Sequence, residues 1–129
     1  MKKNLAVGIG GAAGTILRCV IHQLPLPFDG VYRPILTVII NVSGSFMLGF
    51  LISLFAKRSP VNAEIRLGIT TGLLGGYTTF STLCKESVLL GLSGDVFLSA
   101  INVFASILLG LAAAWLGIGT AKRIERRRA

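Results

Sequence analysis

The sequence predicts an all-α membrane protein with four transmembrane helices, and three observations carry that prediction. Its 129 residues are 53% hydrophobic. Mean hydropathy is +0.77, too high for the polar exterior that a soluble domain of this size needs. Finally, four apolar stretches reach the length of roughly 20 residues that spans a hydrocarbon core. They run over about residues 5–24, 35–55, 65–92 and 96–118, which makes residues 1–129 a single four-helix unit with short loops. No extramembrane domain is expected, and no base, nucleophile or metal-ligand constellation is visible, so an enzyme is the least favoured class.

The first stretch, about 5–24, reads as a retained helix and not as a cleaved signal, because its apolar part is long and no A-x-A-like site follows it. Gly10 and Gly14 stand four apart, the spacing that lets two membrane helices approach closely. The G-x-G-x-x-A match from Gly8 to Ala13 follows no strand and therefore lacks the context of a dinucleotide site. The second stretch carries Thr37, Asn41, Ser43 and Ser45, with Gly49 continuing a small-residue face. Cys19 and Cys84 lie within spans and are expected to pack, not to pair. The lone His22 is too isolated for a metal site.

The third stretch, about 65–92, holds the run Gly72-Leu73-Leu74-Gly75-Gly76-Tyr77-Thr78-Thr79-Phe80. Glycines followed by β-branched threonines form a continuous helix poorly. Two readings stand side by side. One is a broken helix whose freed backbone lines a cavity. The other is a close-packing face built on Gly68, Gly72 and Gly76. The fourth stretch, about 96–118, contributes Asn102 and Ser106.

Polar groups inside a bilayer cost free energy and tend to be functional. None of the carboxylates (Asp29, Glu64, Glu86, Asp95, Glu125) falls clearly at mid-membrane, which argues against proton-coupled antiport. Neutral donors together with Arg18 suit a small anion better than a cation. The net charge of +8 sits at the membrane edges. Lys2, Lys3, Lys57, Arg58, Arg66, Lys122, Arg123, Arg126, Arg127 and Arg128 all fall on one side of a four-span arrangement, against Arg33 and Lys85 on the other. By the positive-inside rule this places both termini in the cytoplasm of a multi-pass protein of the cell membrane. The tail from Lys122 to Arg128 reads as an anchor on anionic lipid headgroups and not as a nucleic-acid site.

Three stretches in order resemble the Fluc (CrcB) fluoride channel family across essentially the whole chain: Gly10 to Arg18, Thr37 to Gly49, and Gly72 to Thr82. The resemblance implies a subunit of a fluoride-selective channel that exports fluoride from the cytoplasm and so limits its toxicity. It also implies a break in the third helix, antiparallel assembly of two subunits and two pores. A structural sodium ion, not transported, is expected on backbone carbonyls at Gly75 and Thr78. Asn41 matches the family's pore asparagine, Arg18 its vestibule arginine, and Thr37 lies one turn from Asn41. Thr79, Ser81 and Ser106 would offer donors to fluoride, and Phe80 an electropositive ring edge.

This chain departs from the family's pattern in its pore. Leu83 stands where a second phenylalanine is expected, and Gly110 and Ala114 where further hydroxyls would continue from Ser106. A strong charge bias also disfavours insertion in both orientations. Two assemblies are therefore carried forward: a homodimer, and a heterodimer with an oppositely oriented paralogue in which this chain has a degenerate pore. A small multidrug exporter would need a carboxylate in the first span, and residues 5–24 contain none.

Overall fold

The computed structural model describes residues 1–24, 33–56 and 61–128, so Asp29, Lys57 and Arg58 of the charge reading lie outside the described residues. All regular structure among the described residues is helical. Helix α1 spans Lys2–Gln23 and α2 spans Arg33–Ala56. The third stretch is divided into α3 (Ala63–Leu67), a π-helical segment (Gly68–Leu73), α4 (Leu74–Tyr77) and α5 (Phe80–Leu92). Helix α6 spans Val96–Arg128.

Three helices among the described residues are long and apolar enough to cross a membrane: Lys2–Gln23, Arg33–Ala56 and Val96–Arg127. The third stretch is as long in sequence, but no single helix within it exceeds the 13 residues of α5. At 33 residues, α6 runs ten residues past the expected end at 118. Ala, Lys, Arg and Glu are strong helix formers, so the helix continues after its apolar part stops. At 1.5 Å per residue it is about 50 Å long, against a hydrocarbon core of about 30 Å.

The helices pack as two parallel pairs, each joined through glycine. A Cβ at Gly10 would run into the Gly68 carbonyl, and one at Gly14 into the Leu73 carbonyl. From the other side, a Cβ at Gly72 would lie 2.6 Å from the Val7 carbonyl, and one at Gly76 would meet the Gly11 carbonyl. Contact positions rise together on both partners, so α1 and the third stretch run in the same direction. The close-packing reading of Gly68, Gly72 and Gly76 thus describes their place against α1. The α2–α6 pair is built the same way: Gly49 meets Ala114, and Gly117 meets the Phe46–Phe50 turn. In lipid the hydrophobic effect does not drive helices together, so such backbone proximity carries the association.

The interior is small. Leu36, Ile40, Leu74, Leu83, Leu90, Ala113 and Ala121 are buried, while Ile9, Ile16, Phe97, Phe104 and Trp115 are exposed. A soluble protein hides residues of this kind, and a membrane protein turns them toward lipid. The α5–α6 connection is tight: Gly94 takes φ +95°, a left-handed conformation in which a side chain would be strained.

Candidate functional site

The helical run of the third stretch is interrupted at two residues. Thr78 has φ −75°, ψ 156° and Thr79 has φ −150°, ψ 115°, both extended. An interruption at membrane depth must find partners for the backbone groups it releases. Asn41 on α2 supplies two of them. Its Nδ2 donates to the Thr79 carbonyl at 3.1 Å, and its Oδ1 accepts from the Thr79 N–H at 2.8 Å. Because the Thr79 N–H can only donate, it fixes which way the Asn41 amide faces. One Nδ2 hydrogen remains for another acceptor.

Thr79 also starts α5. Its Oγ1 accepts from the Thr82 N–H at 3.1 Å, an N-cap of the kind that satisfies the first turn of a helix. It further bonds to Thr82 Oγ1 at 3.0 Å and meets Ser81 Oγ at 3.2 Å. Thr78 returns its hydroxyl to the Leu74 carbonyl at 3.0 Å, and Tyr77 OH meets Ser43 Oγ at 3.0 Å. Ser43 Oγ donates to the Ile40 carbonyl at 3.1 Å, so in the Tyr77 bond the phenol is the donor.

The interruption changes the partners of two carbonyls in particular. In an unbroken helix the Thr79 N–H would bond to the Gly75 carbonyl and the Thr82 N–H to the Thr78 carbonyl. Here those donors go to Asn41 and to the Thr79 hydroxyl. Gly75 is exposed, with nothing near the place its Cβ would occupy. Carbonyl oxygens released in this way suit a hard monovalent cation. No group of three or more His, Cys, Asp or Glu side chains suited to a metal occurs among the described residues.

Beside the interruption lies a cavity of about 260 Å³. Asn41, Thr79, Phe80 and Ser106 line it, together with Ser45 and Leu83. Four of the expected site residues are therefore brought together from α2, the interruption, α5 and α6. Thr78 also reaches the cavity. Thr37 is fully buried one turn from Asn41, and its Oγ1 has no hydrogen-bond partner. The Ser106 hydroxyl likewise has none. Ser81 is exposed beside Thr79, and Arg18 lies half-exposed on α1, one turn past Gly14; neither lines the cavity. Phe80 is 76% exposed and at the same time lines the cavity.

Ser45 is the lining residue that the sequence left among packing positions. A Cβ at Gly110 would sit 3.6 Å from the Ser45 hydroxyl, so α2 brings a hydroxyl beside the point where α6 has none. The signal lay in the parallel pairing of α2 with α6, which no spacing within either helix reveals. Leu83, 4% exposed, fills the cavity wall with aliphatic carbon.

Comparison with known proteins gives these features a context. The chain is 40% identical over 119 residues to a protein of Methylococcus capsulatus named fluoride-specific ion channel FluC; the match covers 92% of this chain and 52% of that one. A protein of the same name from Geobacter metallireducens is 37% identical over 120 residues, covering 93% of this chain and 97% of its own length. A third, from Ruminiclostridium cellulolyticum, is 40% identical over 120 residues, covering 93% and 92%. The chain thus spans about half of the Methylococcus protein and nearly all of the other two. The family model described as CrcB-like protein, Camphor Resistance (CrcB), matches residues 5–118, and this chain belongs to that family.

Proposed function

We propose that this chain is one subunit of a fluoride-selective ion channel, not an enzyme, through which fluoride leaves the cytoplasm down its electrochemical gradient. The observation that carries the reading is the cavity beside the helix interruption, where Thr79 and the donors of Asn41, Ser45 and Ser106 meet an exposed phenylalanine. Its relatives' name, fluoride-specific ion channel, supplies the ion.

Fluoride holds its hydration water strongly, so a selective path must replace that water with fixed donors. The free Nδ2 hydrogen of Asn41 and the unpartnered Ser106 hydroxyl are available for this at the cavity, while the unpartnered Thr37 hydroxyl lies buried one turn from Asn41 and outside the lining. The Thr79 and Ser81 hydroxyls at the start of α5 are bonded to Thr82 and to each other and reach the ion by exchanging those bonds, and the edge of the Phe80 ring is electropositive. No carboxylate is among the described residues lining the cavity. Arg18 attracts the ion from the approach.

The ring of Phe80 lies largely outside its own protomer, which supports completion of the path by a second subunit. The assembly proposed is an antiparallel dimer. The carbonyls of Gly75 and Thr78 would hold a sodium ion at its centre, and the ion would bind the two interruptions together. With the basic tail on anionic lipid, both termini of this chain lie in the cytoplasm. Leu83 and the one-sided charge favour an oppositely oriented paralogue as the second subunit.

Fluoride efflux from liposomes, read with a fluoride electrode, tests this. Efflux that appears only when the paralogue is added supports the heterodimer. Rapid efflux from this chain alone supports the homodimer. Vesicles that lose fluoride no faster than empty ones in both arms contradict the channel.

A further inference from the structure

The α5–α6 pair is held differently from the other two helix pairs. A Cβ at Gly91 would sit 3.8 Å from the Ser99 hydroxyl, an ordinary separation, so these helices do not meet there backbone to backbone as others do at Gly14, Gly76 and Gly117. Side-chain hydrogen bonds join them, and two of these end on one residue of α5. Asn102 Nδ2 donates to Ser87 Oγ at 2.9 Å, and Ser99 Oγ donates to the Ser87 carbonyl at 2.7 Å. Asn102 and Ser87 are each 5% exposed.

The direction of the buried bond follows from its neighbours. The Ser87 hydroxyl gives its one hydrogen to the Leu83 carbonyl at 2.8 Å, so its oxygen can only accept from α6. The Asn102 nitrogen therefore faces Ser87, and Oδ1 is left buried without a partner. A leucine would fill this place without orphaning an acceptor, so packing alone does not account for an asparagine.

The bond lies close to the anion cavity. Leu83 stands one turn before Ser87 on α5, Ser106 stands one turn after Asn102 on α6, and both line that cavity. Only three residues separate the end of α5 from the start of α6, so the two helices run antiparallel and these turns lie opposite each other. From Asn102 the hydrogen bonds pass through Ser87 to the backbone of Leu83, which is itself part of the cavity wall.

We propose, on the channel reading above, that Asn102 and Ser87 are positioning residues for ion selectivity. Their hydrogen bond fixes the separation of α5 and α6 at the cavity, and with it the distance from Phe80 and Leu83 to Ser106. Neither residue lines the cavity. Chloride is larger than fluoride, and a cavity of fixed width whose donors are set for the smaller ion rejects the larger one. With the bond cut, the wall that carries Phe80 and Leu83 moves outward. Chloride then fits, and fluoride loses its close donors.

Efflux of fluoride and of chloride from proteoliposomes, with this chain alone and with the paralogue, tests the assignment. Asn102→Leu removes the donor and Ser87→Ala the acceptor. Each should raise the chloride-to-fluoride efflux ratio about threefold, the scale of one interhelical hydrogen bond in a membrane. Because both cut the same bond, the double variant should match the single ones. An unchanged ratio in both single variants overturns the proposal. So do effects that add in the double variant, or a change in Asn102→Leu alone, which would make Asn102 a direct contact of the ion. A wild type that passes no fluoride in either arm sinks the channel reading and this assignment together, whereas a conducting wild type with indifferent variants sinks the assignment alone. Each ratio is internal to one preparation, so a lower yield of folded variant does not alter it.

Discussion

Asn41 engages both ends of its amide with one peptide unit, and this gives it two duties that mutation can separate. Removing the side chain orphans the Thr79 N–H and carbonyl together, each at a cost of about 1–3 kcal/mol when buried. Asn41→Ala should therefore lower the melting temperature in detergent as well as suppress fluoride flux. Asn41→Asp keeps an acceptor for the Thr79 N–H but removes the donor and adds negative charge. It should leave most of the melting temperature intact while reducing flux at least as severely; equal flux in Asn41→Asp and wild type would remove Asn41 from the path. A parallel test concerns Thr79, whose hydroxyl caps α5. Thr79→Val should cost about 1 kcal/mol, the usual size of an N-cap, visible as a reduced melting temperature. At this scale the sequence singled out Asn41, Thr79, Phe80 and Ser106, and the fold brings these four to one cavity. That Asn41 holds the Thr79 backbone was not, because the two are 38 residues apart.

At the scale of the element, the glycines of α1 and of the third stretch are placed by contact with each other. Gly76 faces the Gly11 carbonyl across the pair, whereas a Cβ at Gly8 would meet nothing within 4 Å. Gly76→Ala forces the helices apart and should cost about 1–3 kcal/mol, the range for overpacking. Gly8→Ala should be neutral or slightly stabilising, since alanine is the better helix former. Thermal unfolding of the two variants side by side checks this, and equal melting temperatures would contradict the packing. The apolar stretches gave the helices readily, since length and hydropathy are properties of the sequence itself. The extent of α6 was not readable from hydropathy, because seven of its last ten residues are polar yet helical. Nor was the π-helical segment at Gly68–Leu73, which a pattern of apolar residues cannot distinguish from an α-helix.

For the whole molecule, Phe80 and Gly75 lie on the exposed surface, whereas Leu83 is buried in the cavity wall. If this chain contributes the weaker of two paths, then Leu83→Phe should raise its flux by supplying the missing ring edge, measured in vesicles with and without the paralogue. Unchanged flux in both arms would separate Leu83 from conduction. Assembly was the least legible level, because spacing within one chain says little about the partner across the interface. Charge bias and the departures at Leu83, Gly110 and Ala114 were the residue-level features that bore on it.

Fluoride selectivity depends on a path that includes Phe80. The most direct test is the ratio of fluoride to chloride efflux from proteoliposomes, comparing the wild type with Phe80→Ile under conditions where the wild type conducts. The account predicts fast fluoride efflux with chloride retained in the wild type, and loss of fluoride efflux in Phe80→Ile. Chloride leaving alongside fluoride, or fluoride efflux untouched by the substitution, would contradict it.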